Sequence, residues 1–313
     1  MQMHSSHPFF SVIIPTYNRA HVLVHTIDSV IGQKFDDFEL IVVNDGSTDD
    51  TEKLFAQRRD KITLVNCKNN GPEEARNSGI RIAKGDYIAF LDSDDLLVPH
   101  ALQIYHDVLT CTEAVLLIAR GKGFRDVFDA SGKENAPAAP EFAVAKDYLS
   151  KKNSVWLSTS FLVVKRELCL EQGTRFRKGT FPVDDTDFML QSGVFGPCVL
   201  MNSPVTVGYR VHESNSIHDI CKNLEKIDYL LRLEKEGAYP GGRGRKFDRL
   251  ALIGGHIQNW VEKGFRAGYY YQSVRLLLKG VIALAAIAVK KAATLSTHLK
   301  YDTLPACRKG GCE

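Results

Sequence analysis

The order of the apolar runs constrains this chain most. As far as Leu91, short β-branched segments alternate with segments of helical spacing. Residues 10–14, 38–43, 62–65 and 87–91 read as strands buried on both faces. Between them, residues 20–33, 49–58 and 72–83 space their apolar side chains as helices do, with Leu23, Ile27, Val30 and Ile31 forming the stripe of the first. This alternation predicts an α/β fold, a mainly parallel sheet flanked by helices. Ligands of such sheets collect beyond the carboxyl ends of the strands. Three segments fall there: Pro15 with Tyr17 and Asn18, Asp45 with Gly46 and Ser47, and Asp92 with Ser93, Asp94 and Asp95.

Beyond Asp95 the alternation loosens. Residues 98–109 look helical, 114–118 strand-like, and 121–140 suit a surface excursion rich in glycine, alanine, proline and charge. Residues 160–165 and 205–211 read as strands and 184–195 as a helix. From about Asn223 the pattern is helical, with a stripe of Leu224, Ile227, Leu230 and Leu231, and a further helix over 250–261 follows a glycine- and arginine-rich loop. The expected organisation is a flexible N-terminus (1–8), an α/β domain (9–218, with halves at 9–99 and 100–218) and a C-terminal helical extension (219–313). Residues 276–289 are strongly apolar but carry Lys279 and Gly280 and end at Lys290 and Lys291. A membrane span needs roughly 20 apolar residues. A helix packed on the domain or on a partner, or one lying on a membrane surface with a basic collar, is expected instead.

Composition narrows the function classes. With 313 residues, 44% of them hydrophobic, the chain can bury a full core, and a net charge of +3 is too small to imply a nucleic-acid partner. Its seven cysteines are odd in number and form no CxxC pair, so neither a zinc site nor a disulfide framework is expected. Residues 1–8 are short and polar and lack the apolar stretch of a secretory signal.

Asp92, Asp94 and Asp95 follow an apolar strand with no basic residue beside them. Like charges so close repel, and a cation or a dense hydrogen-bond network must offset that cost. Hard oxygen ligands of this kind suit Mg2+ or Mn2+ shared with substrate phosphates. The competing explanation is a cap for a helix starting near Leu96. A cap accounts for one aspartate, not three, and from these residues alone both readings stay open. Asp45 stands at a strand tip, where a carboxylate could accept from a base imide or a ribose hydroxyl. Glycine-rich phosphate loops are absent, so any bound diphosphate must be neutralised by metal and side chains.

Four segments occur in order: FSVIIPTYN at 10–18, ELIVVNDGSTD at 39–49, NGPEEARNSG at 70–79 and GDYIAFLDSDD at 85–95. Together they resemble the nucleotide-binding half of the family 2 glycosyltransferases, which have the GT-A fold. The match is dense over 10–99 and sparse to about 216. The resemblance implies that Pro15 and Tyr17 line a base pocket and that Asp45 reads the base, most often uracil. It places Arg76 near base or phosphate, the alternative being a solvated helix charge. Asp92, with Ser93 beside it, would contact ribose or sugar, and Asp94 would ligate the metal. Asp184 and Asp185 match a glutamate–aspartate helix start, with Asp184 in the glutamate position and Asp185 as the general base. An acidic first turn complementing the helix dipole is the alternative there. Tyr209, Arg210 and His212 resemble a Tyr-Arg-x-His segment, so His212 would touch diphosphate or complete the metal shell, unless it is an ordinary histidine. Trp156 is either an acceptor-stacking ring or a rim aromatic.

The implied activity is inverting transfer of a sugar from a nucleotide-diphosphate donor, a UDP-sugar in most relatives, to a hydroxyl of a glycan or lipid-linked glycan. Mn2+ or Mg2+ would be the cofactor, and the setting cytoplasmic, at the inner face of a membrane where cell-surface polysaccharide is built. A sugar nucleotidyltransferase and a catalytically inactive nucleotide-sugar-binding protein are the rival readings. The first would need a basic glycine-rich loop after residue 14, which is missing. The second would lose Asp94 or the second-half acid, and both are present.

Overall fold

The computed structural model describes residues 7–56, 61–129, 139–151, 155–213 and 215–296. The expectations for residues 1–6, for the end of the second helix at Arg58, for 130–138, for Ser214 and for Cys307 and Cys312 lie outside the described residues.

The alternation at the start of the chain becomes β1 (Phe10–Thr16), α1 (Ala20–Ile31), β2 (Phe38–Asn44), α2 (Thr51–Ala56), β3 (Thr63–Asn66), α3 (Pro72–Ile82) and β4 (Tyr87–Phe90). Strand β1 is central: it pairs in parallel with β2 on one side and β4 on the other, so that Val12 faces both Leu40 and Ala89. All seven of its residues are buried, as expected of a strand covered by helices on both faces. Strand β3 departs from that expectation. It lies at the sheet edge with Thr63 and Asn66 exposed, and such a position needs only one covered face. Helix α3 packs so tightly on β1 that a Cβ at Gly79 would lie 2.5 Å from Ile13 Cγ2.

The second half contributes β5 (Leu96–Leu97), α4 (Ala101–Thr112), β6 (Leu116–Ile118), β7 (Gly121–Phe124), β8 (Glu141–Ala145), β9 (Leu162–Lys165), α5 (Arg166–Leu170), α6 (Asp184–Ser192), β10 (Cys198–Ser203) and β11 (Val207–Arg210). The main sheet runs β3-β2-β1-β4-β9-β6-β10-β8, parallel from β3 to β4 and between β6 and β10, with β9 antiparallel to both of its neighbours. A small sheet, β5-β11-β7, lies beside it. Two expectations are corrected here. The helix expected over 98–109 begins only at Ala101, behind His100, and the alternative of a helix starting near Leu96 fails because Leu96 and Leu97 pair with β11. The segment from Gly121 is not simply a surface excursion, because β7 pairs with β11 and buries Gly121 and Phe124. Strands β8 and β10 have no counterpart in the sequence reading. The buried Cys169 and Cys198 are thiols.

Four helices close the chain: α7 (Ile220–Lys235), α8 (Lys246–Arg266), α9 (Tyr270–Lys279) and α10 (Val281–Ser296). Leu224, Ile227, Leu230, Ile257 and Leu276 join the same apolar core as the sheet. Arg249 donates to both oxygens of Glu234, at 2.6 and 3.0 Å, in a buried pair that ties α8 to α7. The apolar run over 276–289 is broken at Gly280 into two helices. One face of α10 packs on α8 through Ala283 and Ala286, while Val281, Ile282 and Val289 stay exposed. Among the described residues, no helix is long and apolar enough to cross a membrane.

Candidate active site

The carboxyl ends of β1, β2 and β4 open into a pocket of about 350 Å³. Pro15, Tyr17, Asp45, Arg76, Asp92, Ser93 and Asp94 all line it, so one cleft gathers the strand-end segments and the residue that α3 supplies. Tyr17 stands at the rim, 44% exposed. Thr16 Oγ1 and Arg76 Nε are buried without a hydrogen-bond partner, and both residues belong to the lining. Orphaned polar atoms in a cleft are costly unless a ligand or water meets them.

Each carboxylate has its own surroundings. Asp45 accepts from the backbone amides of Asn70 and Gly71, at 3.0 and 2.9 Å, which fixes the turn into α3 and gives the strand-tip acid a structural task the sequence did not reveal. Gly46, with φ near +78°, makes that tip possible, because side-chain-bearing residues rarely adopt this conformation. Asp95 is almost wholly buried, accepting from Ser160 Oγ at 2.6 Å and Arg210 N at 2.8 Å. Burial, with the charges of Asp94 and Asp92 added, pushes its carboxyl well above the ordinary range. Asp95 therefore ties the strand-end loop to β11, and none of the three aspartates caps a helix. Thr26 Oγ1 donates to the Ser93 carbonyl at 2.9 Å and holds the same loop from α1.

Asp94 meets His212: Nε2 lies 2.8 Å from Oδ2. Arg19 also reaches Asp94 Oδ2, and its Nη1 lies 3.3 Å from the His212 ring nitrogen. Arg19 directly follows the first motif, and no signal in the sequence marked it as a partner of Asp94. Asn215 fixes the loop that carries His212, accepting from the His212 amide at 2.6 Å.

Arg76 is neither solvated nor open toward the pocket alone. It is 3% exposed, and its two terminal nitrogens reach Asp92 and Asp184, each at 2.6 Å. The guanidinium thus bridges the end of β4 and the start of α6, stacked 5.1 Å above the Phe176 ring. Burial raises the Asp184 carboxyl to about 6 against the opposing pull of Arg76. Asp187 is committed elsewhere, accepting from Tyr239 Oη at 2.8 Å and Gln191 Nε2 at 2.7 Å. Specific partners, more than the helix dipole, account for Asp184 and Asp187.

Asp185 borders a second cavity, of about 1070 Å³. The two cavities are close, since Phe181 lines the first and Pro182 the second. Thr186 donates to Asp185 Oδ1 through both its amide and its hydroxyl, which leaves Oδ2 to take a proton. Burial first, and then the charge of Asp184, lift the Asp185 carboxyl to about 7. Thr186 Oγ1 lies 3.2 Å from His256 Nε2, a group whose pKa burial depresses to about 4 and which is therefore neutral near pH 7. Nothing in the sequence pointed to His256. Trp156 lines this cavity, 48% exposed, with its ring edge-on to Phe161 and Tyr209.

Residues 11–166 match the sequence profile of glycosyl transferase family 2. An uncharacterized glycosyltransferase of Rickettsia bellii is 48% identical over 96 residues, 30% of this chain and 14% of the relative. One from Rickettsia typhi is 38% identical over 109 residues, 35% and 34% of the two chains, and chondroitin synthase of Escherichia coli is 35% identical over 103 residues, 32% and 15%. The chain thus spans about a third or less of these relatives. Among solved structures, S. aureus TarS in complex with UDP-GlcNAc superposes with a TM-score of 0.65 at 17% identity, covering 91% of this chain and 88% of that one. The mannosyltransferase PcManGT of Pyrobaculum calidifontis, in complex with GDP-Man and Mn2+, gives 0.54 at 17% identity, covering 92% and 88%. These likenesses show the GT-A fold. With sequence profile, relatives and fold in agreement, the chain belongs to the family 2 glycosyltransferases.

Proposed function

We propose that the chain is a metal-dependent, inverting glycosyltransferase that takes a nucleotide-diphosphate sugar, a UDP-sugar foremost, in the smaller pocket. The observation that carries this reading is the convergence of Pro15, Asp45, Arg76, Asp92 and Asp94 on one cleft, two of whose lining residues keep buried polar atoms without a partner, with the raised carboxyl of Asp185 next door. Asp45 keeps lone pairs beyond its two amide bonds and would read the base. Asp92 would contact ribose or sugar, its carboxylate oriented by Arg76. Asp94 and His212, already in contact, would hold Mn2+ or Mg2+, ions that share coordination with phosphate oxygens and water. When bound, that ion stabilises the charge that develops on the leaving diphosphate.

In the transfer, the acceptor oxygen forms a bond to the anomeric carbon while the bond from that carbon to the diphosphate oxygen breaks. The diphosphate leaves with the electron pair, and the acceptor proton passes to Asp185. A base with a pKa near working pH contributes about 10²–10⁴-fold. One displacement inverts the anomeric centre. Residues 9–218 would act as the catalytic unit. The exposed Tyr270, Tyr271, Leu278 and Ile282, with the neighbouring Lys279, would rest on the inner membrane surface beside a glycan or lipid-linked acceptor in cell-surface polysaccharide synthesis.

The test is incubation with a panel of nucleotide sugars and varied acceptors, with Mn2+ and with EDTA. Metal-dependent release of nucleoside diphosphate and a product of inverted configuration are expected. Pyrophosphate released from a nucleoside triphosphate and a sugar phosphate would point to a nucleotidyltransferase instead. Retention of configuration would remove Asp185 from its role. The Arg19–Asp94 contact supports a second reading, in which Arg19 neutralises the diphosphate, and transfer that persists in EDTA would select it.

A further inference from the structure

The larger cavity is walled by the segment around Tyr148, the start of α6, and helices α8 and α10. Four lysines line it (Lys151, Lys263, Lys290 and Lys291) against two acids, Asp185 and Glu262. Glu262 is held by Arg266 at 2.6 Å, and Asp185 and Lys151, both shifted to about 7, offset each other near that pH, which leaves Lys263, Lys290 and Lys291 against Glu262. Positive charge is therefore in excess.

Lys151 is the sharpest case. It is 9% exposed, and its ammonium rests 3.4 Å above the Tyr148 ring centre. Among the described residues no carboxylate pairs with it. The neighbouring Asp147 is engaged by Arg245 and by the amide of Ser150. Burial and the nearby Lys290 charge press the Lys151 ammonium down to about 7. Lys290 donates to the Leu149 carbonyl at 2.6 Å and is 3.8 Å from Asp248, itself 3.2 Å from Arg245. Lys291, at the exposed rim, donates to Gln258 at 2.6 Å. A buried ammonium beside a second one, with only the charge of the already engaged Asp147 to offset it among the described residues, is costly unless an anion joins it.

We propose that this cavity is the acceptor subsite and that its acceptor carries a phosphate or diphosphate group, bound by Lys151, Lys290 and Lys291 while the accepting hydroxyl faces Asp185. The phosphate is a handle and stays intact in the transfer. An excess of more than one positive charge matches a phosphate dianion better than a single carboxylate. The proposal rests on the transferase reading above, with Asp185 as base.

The experiment is calorimetric titration of the full chain, first with UDP and then, at saturating UDP, with glucose 1-phosphate, glucuronate, glucose and geranyl diphosphate. The phosphate probes should bind, with glucuronate and glucose at least about tenfold weaker, the scale of one lost charge-assisted hydrogen bond. Lys151→Met should weaken glucose 1-phosphate by a similar factor of about ten, Lys151→Arg should restore it, and UDP affinity should not change. If Lys151→Met does not fold, Lys291→Met at the rim should still weaken the phosphate probes a few-fold. Tighter binding of geranyl diphosphate than of glucose 1-phosphate would assign the phosphate to a lipid carrier, and equal binding to a glycan. Glucuronate or glucose matching glucose 1-phosphate, or phosphate binding untouched by both methionine variants, would overturn the proposal. If UDP does not bind but the Lys151-dependent phosphate binding remains, the anion site stands and the donor reading, with the cavity's role as acceptor subsite, falls.

Discussion

Replacing Asp185 by asparagine tests the base assignment through two quantities that move in opposite directions. The carboxyl is raised from an ordinary 3.8 to about 7, chiefly by burial. Between roughly pH 4 and 7 the folded state keeps a proton that the unfolded chain has released, so stability falls as pH climbs through that window and levels off above it. At about 1.4 kcal/mol per pH unit the full effect is about 4 kcal/mol, and partial exposure of the group to its cavity brings the expectation to about 2–4 kcal/mol. Asparagine has no such proton to lose. Asp185→Asn should therefore match the parent near pH 4 and melt about 4–8 °C higher at pH 8, taking about 2 °C per kcal/mol for a chain of this size. Asp184 titrates in both proteins, so the difference between them isolates position 185, apart from the relief Asp184 gains from losing a charged neighbour. Transfer should fall about 10²–10⁴-fold, and the rising limb of rate against pH below about 7 should vanish. The assay pairs thermal melts from pH 4 to 8 with nucleoside diphosphate release over the same range. A variant that keeps most of its activity, or a melting difference that does not grow with pH, would refute the assignment.

Three further outcomes follow from the geometry. Arg76→Lys cannot span Asp92 and Asp184 with one ammonium and should cost about 3–5 kcal/mol in urea denaturation, as breaking a buried pair does; an unchanged midpoint would show that the bridge contributes nothing. Asp45→Ala strips the acceptor from two backbone amides and should lose about 1–3 kcal/mol for each while weakening UDP binding in calorimetry. Gly254→Ala places a Cβ 2.1 Å from the Ala283 carbonyl, so a helix-propensity gain of about 1 kcal/mol should be outweighed by overpacking of about 1–3 kcal/mol, read as a lower melting temperature.

The first sheet half and the strand-end residues of the smaller pocket were legible because they depend on local pattern. A parallel strand buried on both faces is a continuous apolar run, and its carboxyl end is the next residue along, so Pro15, Asp45, Asp92 and Asp94 could be placed on one edge without knowing any contact. The misreadings share a cause. Leu96 and Leu97, the start of the helix that the cap alternative needed, are extended by pairing with β11, a partner more than a hundred residues away. The alternative of a helix cap at Asp94 or Asp95 fails for the same reason, since Ser160 and Arg210 claim Asp95 from distant elements.

What the chain's order of residues determined by itself is the alternating α/β scheme, the family and the strand-end acids, all set by periodicity and by short motifs. Which charges face each other was decided only by the tertiary structure. It made Arg76 a buried bridge, brought Arg19 onto Asp94, and set Lys151, His256 and Lys290 around the cavity of Asp185. Ion pairing and desolvation act over a few ångströms of space, whatever the separation along the chain, and so leave no period for a sequence to display.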